Sequence, residues 1–143
     1  MAVATIGSLT GGLLFGGGWL LWVDACAVAS AQYGESPHGT YWIPGVLASL
    51  GHIMLNLITW EAVSESDTLL EGGGACLAKA WVFVAFCLSF GGILGSIWIL
   101  VQESRSPSMA EASVAVATKL LFQTALVFFS GLIFRLSRTK SDA

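Results

Sequence analysis

The chain has 143 residues, 55% hydrophobic and only 10% charged, with a formal net charge of −3. A soluble domain carries about 25% charged residues, so this chain cannot clothe a water-facing surface, and its mean hydropathy of +0.78 agrees. The sparse, slightly acidic charge offers no basic face for nucleic acid, and the length suits one domain.

A hydrocarbon core about 30 Å thick needs about 20 apolar residues in a helix. Four segments meet that need, at residues 6–30, 42–63, 76–101 and 113–134. Long unbroken runs argue against a β-barrel, whose strands alternate. The sequence therefore predicts an all-α membrane protein, a single domain over 1–143 with four transmembrane helices in a bundle. The short connections make consecutive helices antiparallel.

The first segment is rich in glycine, with Gly7, Gly11, Gly12, Gly16, Gly17 and Gly18 giving two GxxxG spacings. Such spacings let helix backbones approach in lipid. Ala29-Ser30-Ala31 resembles a signal-peptidase site. No Lys or Arg precedes the segment, however, its apolar run exceeds a usual signal core, and Asp24 interrupts it. The segment is expected to remain as a span.

After a loop holding Gly34, Pro37 and Gly39, the second segment places Gly45, Ser49, His52, Asn56 and Thr59 at spacings of 4, 3, 4 and 3. This small or polar seam is expected to face protein, while Leu47, Leu50, Ile53, Leu57 and Ile58 cover lipid. It serves packing inside one bundle or docking of another membrane protein. The next loop carries Glu65, Asp67, Glu71 and a run of three glycines. The third segment has a similar stripe, Ala85, Ser89, Gly92 and Ser96, with Gly91 and Gly95 beside it. A loop with Pro107 leads to the fourth segment, which holds Lys119 and Gln123.

Orientation follows Lys and Arg placement. Arg135, Arg138 and Lys140 follow the fourth segment, and Lys79 opens the third beside the second loop. The other two loops offer Arg105 alone. Both termini are therefore expected in the cytosol.

An intramembrane charge costs at least ~2.5 kcal/mol and marks a functional position by default. Asp24 and Lys119 each lie about 9 Å below the same predicted membrane face, at 1.5 Å per residue. They pair, or each snorkels to the interface. His52, near the middle of its span, reads as a hydrogen-bonded packing residue rather than a proton carrier or metal ligand. Most of the six tryptophans lie near span ends, as interfacial anchors do. Cys26, Cys76 and Cys87 match neither a zinc nor a disulfide spacing and read as small packing residues; Cys76, at a membrane edge, is a weak candidate for palmitoylation. No HExxH, carboxylate cluster, Ser-His-Asp set or phosphate loop is evident, so no enzyme activity, cofactor or metal site is expected. No inverted repeat or broken helix pair suggests a transporter.

Several ordered motifs resemble one family. Gly18-Trp19 followed by Asp24-Ala25 is similar to the GW…DA signature of the transmembrane protein 50 family, which includes the fungal vacuolar protein sorting-associated protein 68. Met54 and Asn56 resemble its second span. Ala80-Trp81-Val82-Phe83-Val84, Phe90-Gly91 and Ser96-Ile97-Trp98-Ile99-Leu100 resemble its third. Phe122-Gln123, Phe128-Phe129-Ser130-Gly131-Leu132-Ile133-Phe134 and Arg138-Thr139 resemble its fourth. The chain departs in lacking the longer cytosolic amino-terminal extension, in Lys119 at a usually apolar position, and in Thr124 where human-type members have Asn. The Asp24–Lys119 combination thus belongs to this chain rather than to the family.

The resemblance implies a four-span protein of endosome, Golgi or endoplasmic reticulum membranes without catalytic activity. It also implies a role in late-endosome-to-vacuole sorting beside a small four-span partner, vacuolar protein sorting-associated protein 55, of the leptin-receptor overlapping-transcript family. The expected function is protein transport through helix–helix association with other integral membrane proteins. The alternative is a structural accessory subunit of a large membrane complex, and the missing extension leans towards it. A small channel or transporter is the third reading.

Overall fold

A computed structural model of the chain describes residues 2–34, 36–59, 74–106 and 111–139. Four α-helices form in chain order: α1 (Ala2–Tyr33), α2 (Trp42–Leu57), α3 (Gly74–Arg105) and α4 (Glu111–Thr139). A 3₁₀ turn, Gly39–Tyr41, leads into α2, and no strand occurs among the described residues. α1 ends in a left-handed glycine: Gly34 has φ +68° and its N–H donates to Ser30 O at 3.2 Å. Such a residue closes a helix without Cβ strain.

Apolar stretches of 29, 30 and 28 residues in α1, α3 and α4 are long and apolar enough to cross a membrane. Their mean hydropathies are 1.5, 2.2 and 1.7. The fold is thus all-helical with three spanning helices among the described residues. Of the second expected span, 42–63, the described part is α2, which has 16 residues and ends at Leu57. At 1.5 Å per residue it is about 24 Å long, short of the hydrocarbon thickness. Ile58 is already extended, at φ −89° and ψ 133°. Thr59 is therefore off the helix and exposed, and does not extend the seam. Residues 60–63 and the acidic loop lie outside the described residues.

The short helix ends without stranding its carbonyls. Trp81 Nε1 donates to Met54 O at 2.9 Å. Arg135 Nη1 donates to Leu55 O at 2.8 Å and also to Ile58 O. Arg138 Nη1 donates to Asn56 O at 3.1 Å. The last carbonyls of a helix have no partner within it, and lipid offers none. α3 and α4 supply the missing donors, and two of these are cations at the negative end of the helix dipole.

α4 touches the three other helices and stands at the centre of the bundle. Against α1 it runs antiparallel, with Gly7 facing Ser137, Gly11 facing Ser130 and Phe134, and Gly18 facing Val127. The amino end of α1 and the carboxyl end of α4 therefore share one end of the bundle. α2 runs antiparallel to α3 at close range. A Cβ added at Gly51 would come within 2.6 Å of Ala85 O, and one at Gly92 within 2.6 Å of Pro44 O. Only glycine fits at these two crossings. Trp22, Leu120 and Val127 are the largest apolar side chains fully enclosed among the described residues.

The arginine cap generates a prediction. Arg135→Leu leaves Leu55 O and Ile58 O without their donor and should destabilise the fold by roughly 1–3 kcal/mol. Arg135→Lys keeps the charge but not the planar fork and should recover only part. Thermal unfolding in mild detergent measures both, and equal stability of all three proteins would refute the cap.

Candidate functional site

The polar seam of α2 and Gln123 of α4 converge where α1, α2 and α4 meet. Gly45 is buried, and its open Cα side lies against the side chain of Gln123, whose amide atoms stand 2.8 and 2.9 Å from where a Cβ would be. One turn on, Ser49 Oγ donates to Gly45 O at 2.8 Å and accepts from Trp19 Nε1 at 3.1 Å. His52 packs on Phe15 and Phe134, with ring centroids 5.0 and 6.4 Å apart. Asn56 donates back to His52 O at 2.8 Å. Ser49, His52 and Asn56 are all half-buried, so this seam faces α1 and α4.

The stripe on α3 is wholly inside. Ala85, Ser89 and Ser96 are buried, and Gly92 meets Pro44 and Ala48. Ser89 Oγ returns its proton to Ala85 O at 3.0 Å. Ser96 Oγ meets Thr124 Oγ1 at 2.9 Å, the direct polar link from α3 to α4. Sequence reasoning missed the matching face of α2, where Pro44, Ala48 and Gly51 are buried against α3. Only the small residues Ala48 and Gly51, three apart, hinted at it.

Gln123 is 1% exposed, and neither amide atom has a hydrogen-bonding partner among the described residues. Trp22 Nε1, also fully enclosed, is in the same position. Trp22 meets Trp42 edge to face at 5.5 Å, and Trp42 meets Trp19 at 6.3 Å. Trp19 and Trp22, deeper in their span than an interfacial anchor, thus form with Trp42 a packed aromatic cluster joining α1 to α2. Trp81 and Trp98 do face outward.

Asp24 and Lys119 are 2.6 Å apart, Oδ2 to Nζ, on the outer surface of the α1–α4 pair. The antiparallel packing brings them level. Beyond them, near Gly34 and the 3₁₀ turn, Tyr41 Oη donates to Glu103 Oε1, tying α2's start to α3's end. Burial first, and the Glu103 carboxylate second, push the Tyr41 phenol above its ordinary pKa, so it stays a donor. A small cavity of about 50 Å³ lies there, lined by Ala29, Pro37, His38, Tyr41 and Val116 among others. Among the described residues, no three His, Cys, Asp or Glu side chains group as metal ligands would. Cys76 and Cys87 are exposed rather than packed inside, which corrects that reading, and Cys26 is half-buried.

These features define a small helical membrane protein whose interior polar groups mostly serve helix contact. Residues 1–143 match the family described as Uncharacterised protein family (UPF0220). The chain is 31% identical to a transmembrane protein 50 homolog of Dictyostelium discoideum, over 92% of this chain and 88% of that one. It is 23% identical to a UPF0220 protein of Schizosaccharomyces pombe, over 89% of this chain and 81% of that one. The chain belongs to the transmembrane protein 50 family. No solved structure matches it.

The unpaired amide sets a test. Replacing a buried group that has no partner by an apolar one of similar shape is neutral or stabilising. Gln123→Met should leave thermal stability in detergent unchanged or raise it by about 1 kcal/mol. A loss of that size would instead reveal a hydrogen bond made by Gln123 in the assembled protein.

Proposed function

We propose that this protein is a non-catalytic sorting factor of endosome, Golgi or endoplasmic reticulum membranes. It spans the bilayer four times and holds both termini in the cytosol. It acts by binding other integral membrane proteins, including a small four-span partner of the vacuolar protein sorting-associated protein 55 type. The observation that carries this reading is similarity to a transmembrane protein 50 homolog along nearly the whole chain. The architecture supports it: α1 and α3 present long outward faces, while the polar stripes of α2 and α3 are engaged inside. Such a molecule offers surfaces to other spans rather than a cleft to a substrate.

Purification of the full chain in mild detergent, followed by mass spectrometry, tests the partner. A single small four-span protein in stoichiometric yield is expected. A stoichiometric large complex would favour the accessory-subunit reading instead.

Protease protection on sealed vesicles tests the topology. A tag after Ala143 should be digested from the cytosolic side, as the Arg135 and Arg138 end requires under the positive-inside rule. Protection of that tag would invert the orientation.

A further inference from the structure

The Asp24–Lys119 ion pair is placed oddly for a protein that needs it only to hold α1 against α4. The Asp24 side chain is 59% exposed and that of Lys119 32% exposed, so the pair points away from the bundle. At 1.5 Å per residue, it lies about 12–14 Å inside the ends of both helices. α1 is about 48 Å long against about 30 Å of hydrocarbon, so a centred α1 leaves the pair just within the apolar layer. Charges at that depth are unfavourable and normally face protein or a water-filled cavity.

The surface around the pair has the form of a helix interface. α4 takes one side of α1, and the outward side carries Leu13, Gly17, Leu20, Asp24 and Ala27, all exposed, at spacings of 4, 3, 4 and 3, with Asp24 at the edge next to Lys119 of α4. This is the spacing by which two helices mesh in a left-handed pair. Leu13 and Leu20 are 75% and 71% exposed, and nothing lies within 4 Å of the Cβ position at Gly17. The ridge alone would suit lipid; the charges on it would not.

The charges also identify what covers it. A patch with one carboxylate and one ammonium at the same depth is its own complement. Under a two-fold axis along the membrane normal, each point meets its counterpart at equal depth, and such an isologous contact joins a patch to itself. Asp24 then faces Lys119 of the second copy, and Lys119 faces its Asp24. Each carboxylate has capacity for this, because Asp24 Oδ1 takes no hydrogen bond from the described residues of its own chain. We propose that two copies of this chain associate through the outer face of α1, with Asp24 and Lys119 forming reciprocal ion pairs across the axis. The proposal goes beyond the sorting role and does not depend on it.

Disulfide trapping in membranes tests the face. Full-length protein with Cys26, Cys76 and Cys87 replaced by Ala receives Leu20→Cys and is oxidised. A linked dimer is expected. Phe83→Cys, on the outer face of α3 and 69% exposed, should give none. This variant pair leaves the charges untouched, so its folding is not at risk from them. No dimer from Leu20→Cys in protein that elutes as a single species, or a link to a different protein, would overturn the proposal.

Charge complementation tests the ion pairs. In the Leu20→Cys background, Asp24→Asn or Lys119→Leu alone should lower the linked fraction roughly threefold to tenfold, the range polar contacts between membrane helices give. Co-expressed with different tags, the two variants restore one carboxylate facing one ammonium, and the mixed dimer should exceed either homodimer. A mixed dimer no more abundant than the homodimers would refute the reciprocal pairs.

Discussion

Hydrocarbon donates no hydrogen bond, and that constraint shapes the bundle. A helix that ends inside it must find donors for its last carbonyls. α2 ends early, and four of its terminal carbonyls, those of Met54, Leu55, Asn56 and Ile58, are taken by Trp81, Arg135 and Arg138. This fixes α4 beside α2 in a parallel sense, with the end of α4 level with the end of α2. Once α4 is there, α1 and α3 must run antiparallel to it, and the small residues on each find their places. Arg135 and Arg138 thus anchor the shortest helix of the bundle.

Small residues do the rest, because lipid gives helices no hydrophobic reason to associate. Close approach brings dispersion contacts and lets short side chains bond across. Ser130 Oγ reaches Gly11 O at 2.7 Å, and Ser96 reaches Thr124. Both bonds need backbones closer than larger side chains would permit. Glycine has unequal value along α1: Gly7, Gly11 and Gly18 face α4, whereas Gly12, Gly16 and Gly17 face open space.

The helices were legible in the sequence because hydropathy alone decides them. Segments 6–30, 76–101 and 113–134 lie inside α1, α3 and α4, which extend a few residues further at each end. The end of α2 was not legible. Ile58, Trp60, Ala62 and Val63 prolong the apolar run around Thr59 and Glu61, and the break at Ile58 coincides with donors from helices distant in sequence, which no local pattern reports. The level placement of Asp24 and Lys119 could be read by counting residues from span ends, since antiparallel neighbours share one depth scale. Which small stripe faces inward could not. Gly45-Ser49-His52 and Pro44-Ala48-Gly51 differ by about one residue around α2, or about 100°. Both faces turn out to be covered, one by α1 and α4 and the other by α3.

That double coverage bears on how such a protein meets others. A stripe engaged inside its own bundle has little surface left for a partner. Changes at Ser49, Ser89, Gly92 or Ser96 therefore act first on folding, and lost association in such variants says little about partner recognition. Recognition has to be sought on the outward ridges, where Leu13 and Leu20 of α1 and Phe83, Leu94 and Trp98 of α3 stand exposed. Lipid can solvate an apolar ridge at no cost, so apolar ridges by themselves do not specify a partner. A polar pair on one of them does, because lipid cannot solvate it and a second protein can. On this chain the outer surface shared by α1 and α4 carries such a pair, Asp24 of α1 and Lys119 of α4.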